Sequence, residues 1–142
     1  MHHPWRELRD LPHIDLRWHV GAPPGKTQWW SDGTVTISLD ESLGQAQRRC
    51  TLTHEIRHAL RGRPPIGEAA RRQEEREIDV EAARLLISLD RLIDALRWTQ
   101  YWHEAAEALW CDYGTFVTRI NNLTENEWLA IEAALERIEG AA

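Results

Sequence analysis

His54, Glu55 and His58 form the pattern His-Glu-Ile-Arg-His, whose spacing allows a helix to bind a metal ion. Residues four positions apart lie on the same face of an α-helix, so both imidazoles can reach one ion. Neutral imidazole is a good zinc ligand, and a catalytic zinc keeps one coordination position for water. Glu55 follows the first histidine and is placed to accept a proton from that water. The motif therefore predicts a zinc-dependent hydrolase.

A third protein ligand is expected on the next predicted helix, which carries a run of acidic residues. Glu75 and Asp79 lie one helical turn apart, on one shoulder of the apolar stripe that Ile78 and Ala82 form. A carboxylate at the edge of a buried face can bind a metal ion, and a second carboxylate one turn later can orient a ligand histidine through its other ring nitrogen. We therefore expect Glu75 to be the third ligand and Asp79 to be that second carboxylate.

The other acidic residues of this helix are weaker candidates for the third ligand. Glu77 points away from the apolar stripe, toward solvent. Glu74 and Glu81 flank the opposite shoulder of the stripe and remain the alternatives. The loop from Gly62 to Gly67 allows the second helix to fold back against both histidines.

The elements that must position these side chains follow the pattern of an α+β fold. Apolar and polar residues alternate between positions 14 and 39, and Asp32-Gly33 is a strong hairpin signal. We expect a small antiparallel sheet of two or three strands there, followed by a helical core that carries the metal site, a C-terminal helix pair and a terminal helix. Helical patterns predict helices over residues 4–11, 45–60, 68–88, 90–98, 104–110, 115–123 and 125–139.

Some helix starts and faces can be assigned from single residues. Asp90 is expected to cap the fourth of these helices. Thr124, with Glu127 three residues later, predicts a capping box for the last helix. Leu85 is expected on the buried face of the helix that carries Glu75, because it follows the helical period of Ile78.

The composition indicates one globular domain. The chain has 142 residues, of which 42% are apolar and 28% are charged, which is enough to bury a core. We expect a single domain over residues 1–142, in which 14–90 form the sheet and the metal-site helices. Residues 91–142 are expected to form a helical part that is similar to a helix-turn-helix. The eight Trp are spread along the chain and are expected to anchor the core or an interface.

Charge and hydropathy exclude several classes of function. A formal net charge of -6 argues against binding nucleic acid through bulk charge. The sequence has no apolar run of 18 residues, so we expect no membrane span. The first residues also lack the apolar core of a signal peptide. With only two cysteines there is no disulfide framework, so we expect a cytoplasmic protein with Cys50 as a buried, inert thiol.

The residues around both motifs resemble the ImmA/IrrE-type metallopeptidases of phages, mobile elements and bacteria. The first match is residues 48–60, RRCTLTHEIRHAL, and the second is residues 75–87, EREIDVEAARLLI. The resemblance extends over about residues 14–90. It implies a gluzincin-like zinc site in which Glu75 is the metal-binding glutamate and Asp79 takes the place of an Asn or Asp.

The resemblance also implies a substrate and a mode of binding. Members of the family cleave, or are thought to act on, helix-turn-helix repressors, which relieves repression of a mobile element or a stress regulon. In zinc peptidases of this layout the substrate lies extended beside an edge strand, and Thr34–Leu39 is the candidate strand here. Tyr101, His103 and Tyr113 are candidates to donate a hydrogen bond to the oxyanion, and the sequence does not choose among them.

Two other functions compete with proteolysis. Arg57 stands where the family usually has Gly, which favours a regulatory protein that sequesters a repressor without cutting it. Residues 104–123 have the pattern of a helix-turn-helix, which would suit a DNA-binding accessory protein. Its second helix has Arg119 as its one cation, so we prefer a helix pair that packs or binds a partner.

Overall fold

The structure is a computed structural model that describes residues 1–141, in which one long helix lies between a sheet and the other helices. This central helix, α2 (Gln45–Arg61), carries the His-Glu-Ile-Arg-His motif and packs on the sheet and on the next helix, α3 (Glu68–Leu86). The elements in chain order are α1 (Pro4–Arg9), β1 (Ile14–His19), β2 (Gly25–Trp29), β3 (Val35–Asp40), α2 (Gln45–Arg61), α3 (Glu68–Leu86), α4 (Leu89–Trp98), α5 (Trp102–Ala108), α6 (Tyr113–Asn121) and α7 (Glu125–Ala141).

The sheet has three strands in the order β1-β3-β2, which confirms the α+β class. β2 and β3 are antiparallel and are joined by the expected hairpin, in which Gly33 adopts a φ of +88° and Asp32 accepts a hydrogen bond from the Thr34 N–H at 2.9 Å. β1 runs parallel to β3, so the expectation of a purely antiparallel sheet was wrong. The connection from β1 to β3 passes through β2, which lies on the other side of β3. Two parallel strands require a long connection of this kind.

β3 is the central strand, so the expectation that residues 34–39 form the free edge was also wrong. It pairs with β1 on one side and β2 on the other. Its side chains explain this position, because Val35, Ile37 and Leu39 are all buried against Leu52 and Ile56 of α2. An alternating pattern predicts that a strand is half buried, but it does not specify how many neighbours the strand has.

The helix boundaries differ from the predictions by a few residues, as is usual where caps decide them. Ser88 rather than Asp90 caps α4, and its side chain accepts a hydrogen bond from the backbone of Arg91. Asp112 caps α6 by accepting a hydrogen bond from the Thr115 N–H at 2.7 Å.

The expected burial of Leu85 was wrong, and most of the Trp side chains are not part of the core. Leu85 is exposed, and the buried face of α3 consists of Ile78, Ala82, Ala83 and Leu86. Of the eight Trp, seven are exposed, whereas Trp29 is partly buried against the sheet cluster. The core of this chain is therefore built mainly from aliphatic side chains and Phe116.

Arg49 ties α2 to the C-terminal half of the fold. Its buried guanidinium donates hydrogen bonds to the carbonyls of Leu86 at 3.1 Å, Leu109 at 3.3 Å and Trp110 at 2.8 Å. These carbonyls lie at the ends of α3 and α5, where helices leave backbone acceptors without partners. One side chain thus satisfies backbone carbonyls at two helix ends and connects three helices.

Arg119 and Glu127 form a buried ion pair between α6 and α7. Arg119 is 2% exposed, and its Nη2 lies 2.5 Å from Glu127 Oε2. Glu127 also accepts a hydrogen bond from Arg84 at 2.8 Å and completes the expected capping box with Thr124. Hydrogen bonding from Arg119 is the main reason that the pKa of Glu127 lies well below its usual range.

No helix among residues 1–141 is long and apolar enough to cross a lipid bilayer.

Replacing Glu127 by Gln should lower the free energy of unfolding by about 3–5 kcal/mol, because it leaves the buried charge of Arg119 without a partner. The depressed pKa means that this stabilisation is complete above the ordinary glutamate pKa and is lost as the pH falls through the folded-state value. Urea unfolding of both proteins between neutral and acidic pH measures this, and the difference between them should shrink as the pH falls.

Glu125→Gln is the matched control, because Glu125 lies in the same helical turn but is exposed. It should change the unfolding free energy by about 0.5 kcal/mol or less. Equal losses in the two variants would contradict the structural role assigned to Glu127.

Candidate metal centre

His54 and His58 of α2 converge on the carboxylate of Glu75 in α3. His54 Nε2 lies 2.7 Å from Glu75 Oε1, and His58 Nε2 lies 2.8 Å from Glu75 Oε2. One ligand atom of each residue lies within 4.8 Å of those of the other two. Two imidazole nitrogens and one carboxylate oxygen are a donor set that catalytic zinc takes, with the fourth position left for water or substrate. The chemistry and convergence of these donors therefore fit a zinc ion.

The turn after α2 explains why α3 reaches the histidines. Gly62 ends α2 with a φ of +91°, a conformation that strains other residues, and its N–H donates to the His58 carbonyl at 3.2 Å. α3 then runs back along α2, and Arg61 bridges the two helices by pairing with Glu77 at 2.8 Å and Glu81 at 3.4 Å. Glu77 and Glu81 therefore form ion pairs with Arg61 and not with the two histidines, as was expected for Glu77.

Asp79 lies where a carboxylate can orient His54. Its Oδ1 is 3.0 Å from His54 Nδ1 and can accept a hydrogen bond from that nitrogen, while Nε2 is turned toward Glu75. Burial lowers the pKa of His54, but the hydrogen bond to Asp79 and the negative charges of Glu55 and Glu75 outweigh it, so the pKa is raised overall. The site therefore attracts positive charge.

Glu55 is buried beside the histidines and is held by a residue that the sequence analysis missed. Its exposed fraction is 7%, and its Oε2 accepts a hydrogen bond from Thr27 Oγ1 at 2.6 Å. Thr27 belongs to β2, so the sheet fixes the carboxylate from the side opposite α3. The sequence places Thr27 in a strand but carries no signal that this strand crosses Glu55.

Gly25 allows β2 to approach α2 this closely. A Cβ at this position would lie 2.6 Å from Thr51 Cγ2 and 2.9 Å from Glu55 Cγ, both shorter than van der Waals contact. A side chain here would push β2 away from Glu55 and lengthen the hydrogen bond from Thr27.

A cleft of about 450 Å³ opens between β2, α2, α3 and α6 at these residues. α6 belongs to the C-terminal part of the chain, and it contributes Gly114, Thr115 and Thr118 to the cleft, none of which the sequence analysis placed at the site. The cleft is lined by Pro24, Gly25, Cys50, Thr51, His54, Glu55, Glu75, Asp79, Ala82, Asp112, Gly114, Thr115 and Thr118.

The three suggested oxyanion donors are not brought to this cleft. Tyr101, His103 and Tyr113 are absent from its described lining. His103 and Tyr113 instead stack on each other, with ring centroids 3.8 Å apart. Cys50 does line the cleft, and it is a buried free thiol whose pKa is raised by burial.

Arg57 lies outside the lining of the cleft, although it belongs to the motif. Its side chain is buried and pairs with Glu7 of α1, and a second guanidinium nitrogen lies 3.9 Å from Glu81. The position that usually carries Gly in the resembling family is used here to hold α1 against α2.

Comparison with known proteins agrees with this geometry. The model of the IrrE N-terminal-like domain, the M78 peptidase family, matches residues 17–121. No curated protein and no solved structure matches the chain. The matched range includes β2, β3 and the end of β1, both helices of the candidate metal centre and the α6 wall of the cleft. The chain therefore belongs to the M78 peptidase family with the IrrE N-terminal-like domain, which confirms the resemblance found in its motifs and indicates a function of the metallopeptidase type.

Proposed function

We propose that this protein is a zinc-dependent metalloendopeptidase in which His54, His58 and Glu75 bind zinc. The observation that carries the proposal is the convergence of the two Nε2 atoms on one carboxylate, beside a buried glutamate in the same cleft. When bound, zinc supplies a Lewis acid that polarises a carbonyl and lowers the pKa of a water molecule.

Glu55 is the proposed general base. It accepts a proton from the attacking water and passes it to the leaving amine, while its other contacts keep it in place. Thr27 holds Oε2, so Oε1 remains directed toward Gly25 at the cleft wall. Asp79 keeps the proton on His54 Nδ1 and thereby keeps Nε2 free to bind metal.

β2 is the strand that suits an extended peptide substrate. Within the described residues, only one edge of β2 pairs with another strand, and Gly25 at its start lines the cleft. A peptide that adds to the free edge forms backbone hydrogen bonds and passes close to Glu55. This assignment replaces the prediction that β3 is the docking strand.

We further propose that the substrate is a helix-turn-helix repressor of a phage, a mobile element or a stress regulon, and that cleavage occurs in the cytoplasm. The family resemblance supports this substrate. Co-expression with a candidate helix-turn-helix repressor, such as one encoded near the gene, followed by mass spectrometry, tests it by searching for a cut that requires zinc.

The alternatives have lost some of their support. Sequestration without cleavage was favoured by Arg57, whose side chain pairs with Glu7 away from the cleft. DNA binding through residues 104–123 was suggested by a helix-turn-helix pattern whose second helix has Arg119 as its one cation, and Arg119 is buried against Glu127. Binding of a repressor that survives Glu55→Gln, with no product from the unaltered protein, would favour sequestration.

The purified protein should carry about one zinc ion per chain, and Glu75→Ala should weaken zinc binding severely because three protein ligands become two. Asp79→Ala should weaken it by about 10–100-fold, as loss of an orienting carboxylate does. Metal analysis and zinc titration against a competing chelator measure both effects.

Glu77→Ala is the control for these variants, because Glu77 lies on the same helix but pairs with Arg61. It should leave zinc affinity nearly unchanged. A folded protein that takes up no zinc would overturn the metal assignment, and a strong loss in Glu77→Ala with none in Glu75→Ala would overturn the ligand assignment.

Glu55→Gln should abolish cleavage of the repressor while zinc remains bound. The amide keeps the shape of the side chain but cannot accept the proton, which should lower the rate by at least about 100-fold. Cleavage assays and metal analysis on the same preparation measure the two properties, and undiminished cleavage would remove Glu55 from the mechanism.

Thr27→Val should lower kcat by about 10-fold and leave KM and zinc affinity close to their original values. The substitution keeps the β-branched shape but removes the hydroxyl that holds Glu55, and hydrogen bonds to charged groups contribute about 1.5–3 kcal/mol. Thr27→Ser should restore most of kcat. A defect that Ser does not repair would indicate that Thr27 acts through packing.

A further inference from the structure

Glu74 is a mostly buried carboxylate whose role the proposed mechanism leaves open. Its side chain is 14% exposed, whereas those of Glu75 and Asp79 are 49% and 48% exposed. Its Oε1 is buried and makes no hydrogen bond. A buried carboxylate oxygen without a partner is costly, so its persistence in a folded protein calls for a compensating role.

The position of Glu74 on α3 explains why it is buried. Residues 74, 78, 82 and 86 form one row at intervals of four, and Ile78, Ala82 and Leu86 are all buried. Glu74 extends this row by one turn toward the start of the helix, so it faces α2 together with Ile78. The group it meets there is His58, whose Nδ1 lies 3.8 Å from Glu74 Oε1.

The two histidines have matching surroundings. In each ring, Nε2 faces Glu75, at 2.7 Å for His54 and 2.8 Å for His58. The opposite nitrogen of His54 lies 3.0 Å from Asp79, and the opposite nitrogen of His58 faces Glu74. α3 therefore places one separate carboxylate behind each imidazole, in addition to the carboxylate that both share.

We propose that Glu74 is the positioning residue of His58. Its carboxylate accepts a hydrogen bond from His58 Nδ1–H when His58 Nε2 binds zinc. The inference rests on the proposed zinc site. The 3.8 Å separation is longer than a hydrogen bond, and a movement of roughly 1 Å brings the oxygen within bonding distance. Glu74 faces Nδ1, whereas the proposed zinc ligand atom of His58 is Nε2 on the other side of the ring. Glu74 therefore does not act as a third metal ligand in this proposal.

Zinc titration of the full chain against a competing chelator tests the proposal, with zinc alone as the probe. Glu74→Gln should weaken zinc binding by about 10–100-fold and keep the stoichiometry of the original protein. Glu77→Gln is the matched control, since it makes the same change on the same helix, and its affinity should stay the same.

Glu74→Met provides a second variant that is expected to fold. It removes a buried charge at similar size, so it should raise the urea midpoint of the metal-free protein while weakening zinc binding. A residue that only packs would not produce these opposite changes. In the zinc-loaded protein, nitrogen NMR should show a shift of His58 Nδ1–H in Glu74→Gln, with His54 Nδ1–H unchanged.

The outcomes separate this inference from the zinc site itself. If the original protein binds zinc and Glu74→Gln alters neither its affinity nor the His58 resonance, the role of Glu74 is overturned while the metal site stands. A loss as severe as that of Glu75→Ala would make Glu74 a ligand and would also overturn the inference. If the original protein binds no zinc, the proposed function fails and the inference fails with it.

Discussion

The antiparallel contact between α2 and α3 is the constraint on which the rest of the molecule depends. It gathers several carboxylates around two imidazoles, and within the described residues Glu75 and Asp79 form ion pairs with histidine alone. Like charges this close together repel one another. Desolvation lowers the pKa of His54, but the hydrogen bond to Asp79 and the neighbouring negative charges outweigh it and raise this pKa overall, and the same charges favour any cation that enters. The buried row of Ile78 and Ala82 holds the helices together at this point in spite of that repulsion.

The sheet contributes to the site through one strand. β2 approaches α2 closely because Gly25 has no side chain, and the same approach brings Thr27 to Glu55. The free edge of β2 is also where an extended peptide can add. The strand that would receive the substrate therefore also holds the carboxylate that would activate water, so the position of the substrate and the position of the base are mechanically linked.

Sequence reasoning did best where helical spacing and short motifs determine the answer, and it failed for the pairing of strands, the cap of α4 and the burial of Leu85. The spacing of His54 and His58, the turn between Glu75 and Asp79 and the Thr124 capping box are all local, and the structure has each of them. The parallel pairing of β1 and the central place of β3 depend on which strands become neighbours, and alternation in a single strand does not encode this.

The same limit explains the missed residues of the site. Thr27 is an ordinary strand residue until β2 crosses Glu55, so its type and spacing carried no signal. Glu74 did carry a signal, because it extends the buried row that contains Ile78. The sequence suggested only that Glu74 was an alternative ligand. The structure adds the identity of the nitrogen that it faces. Residue type and helical period thus indicated the candidate donors, whereas the separate role of each carboxylate depends on which ring atom it meets.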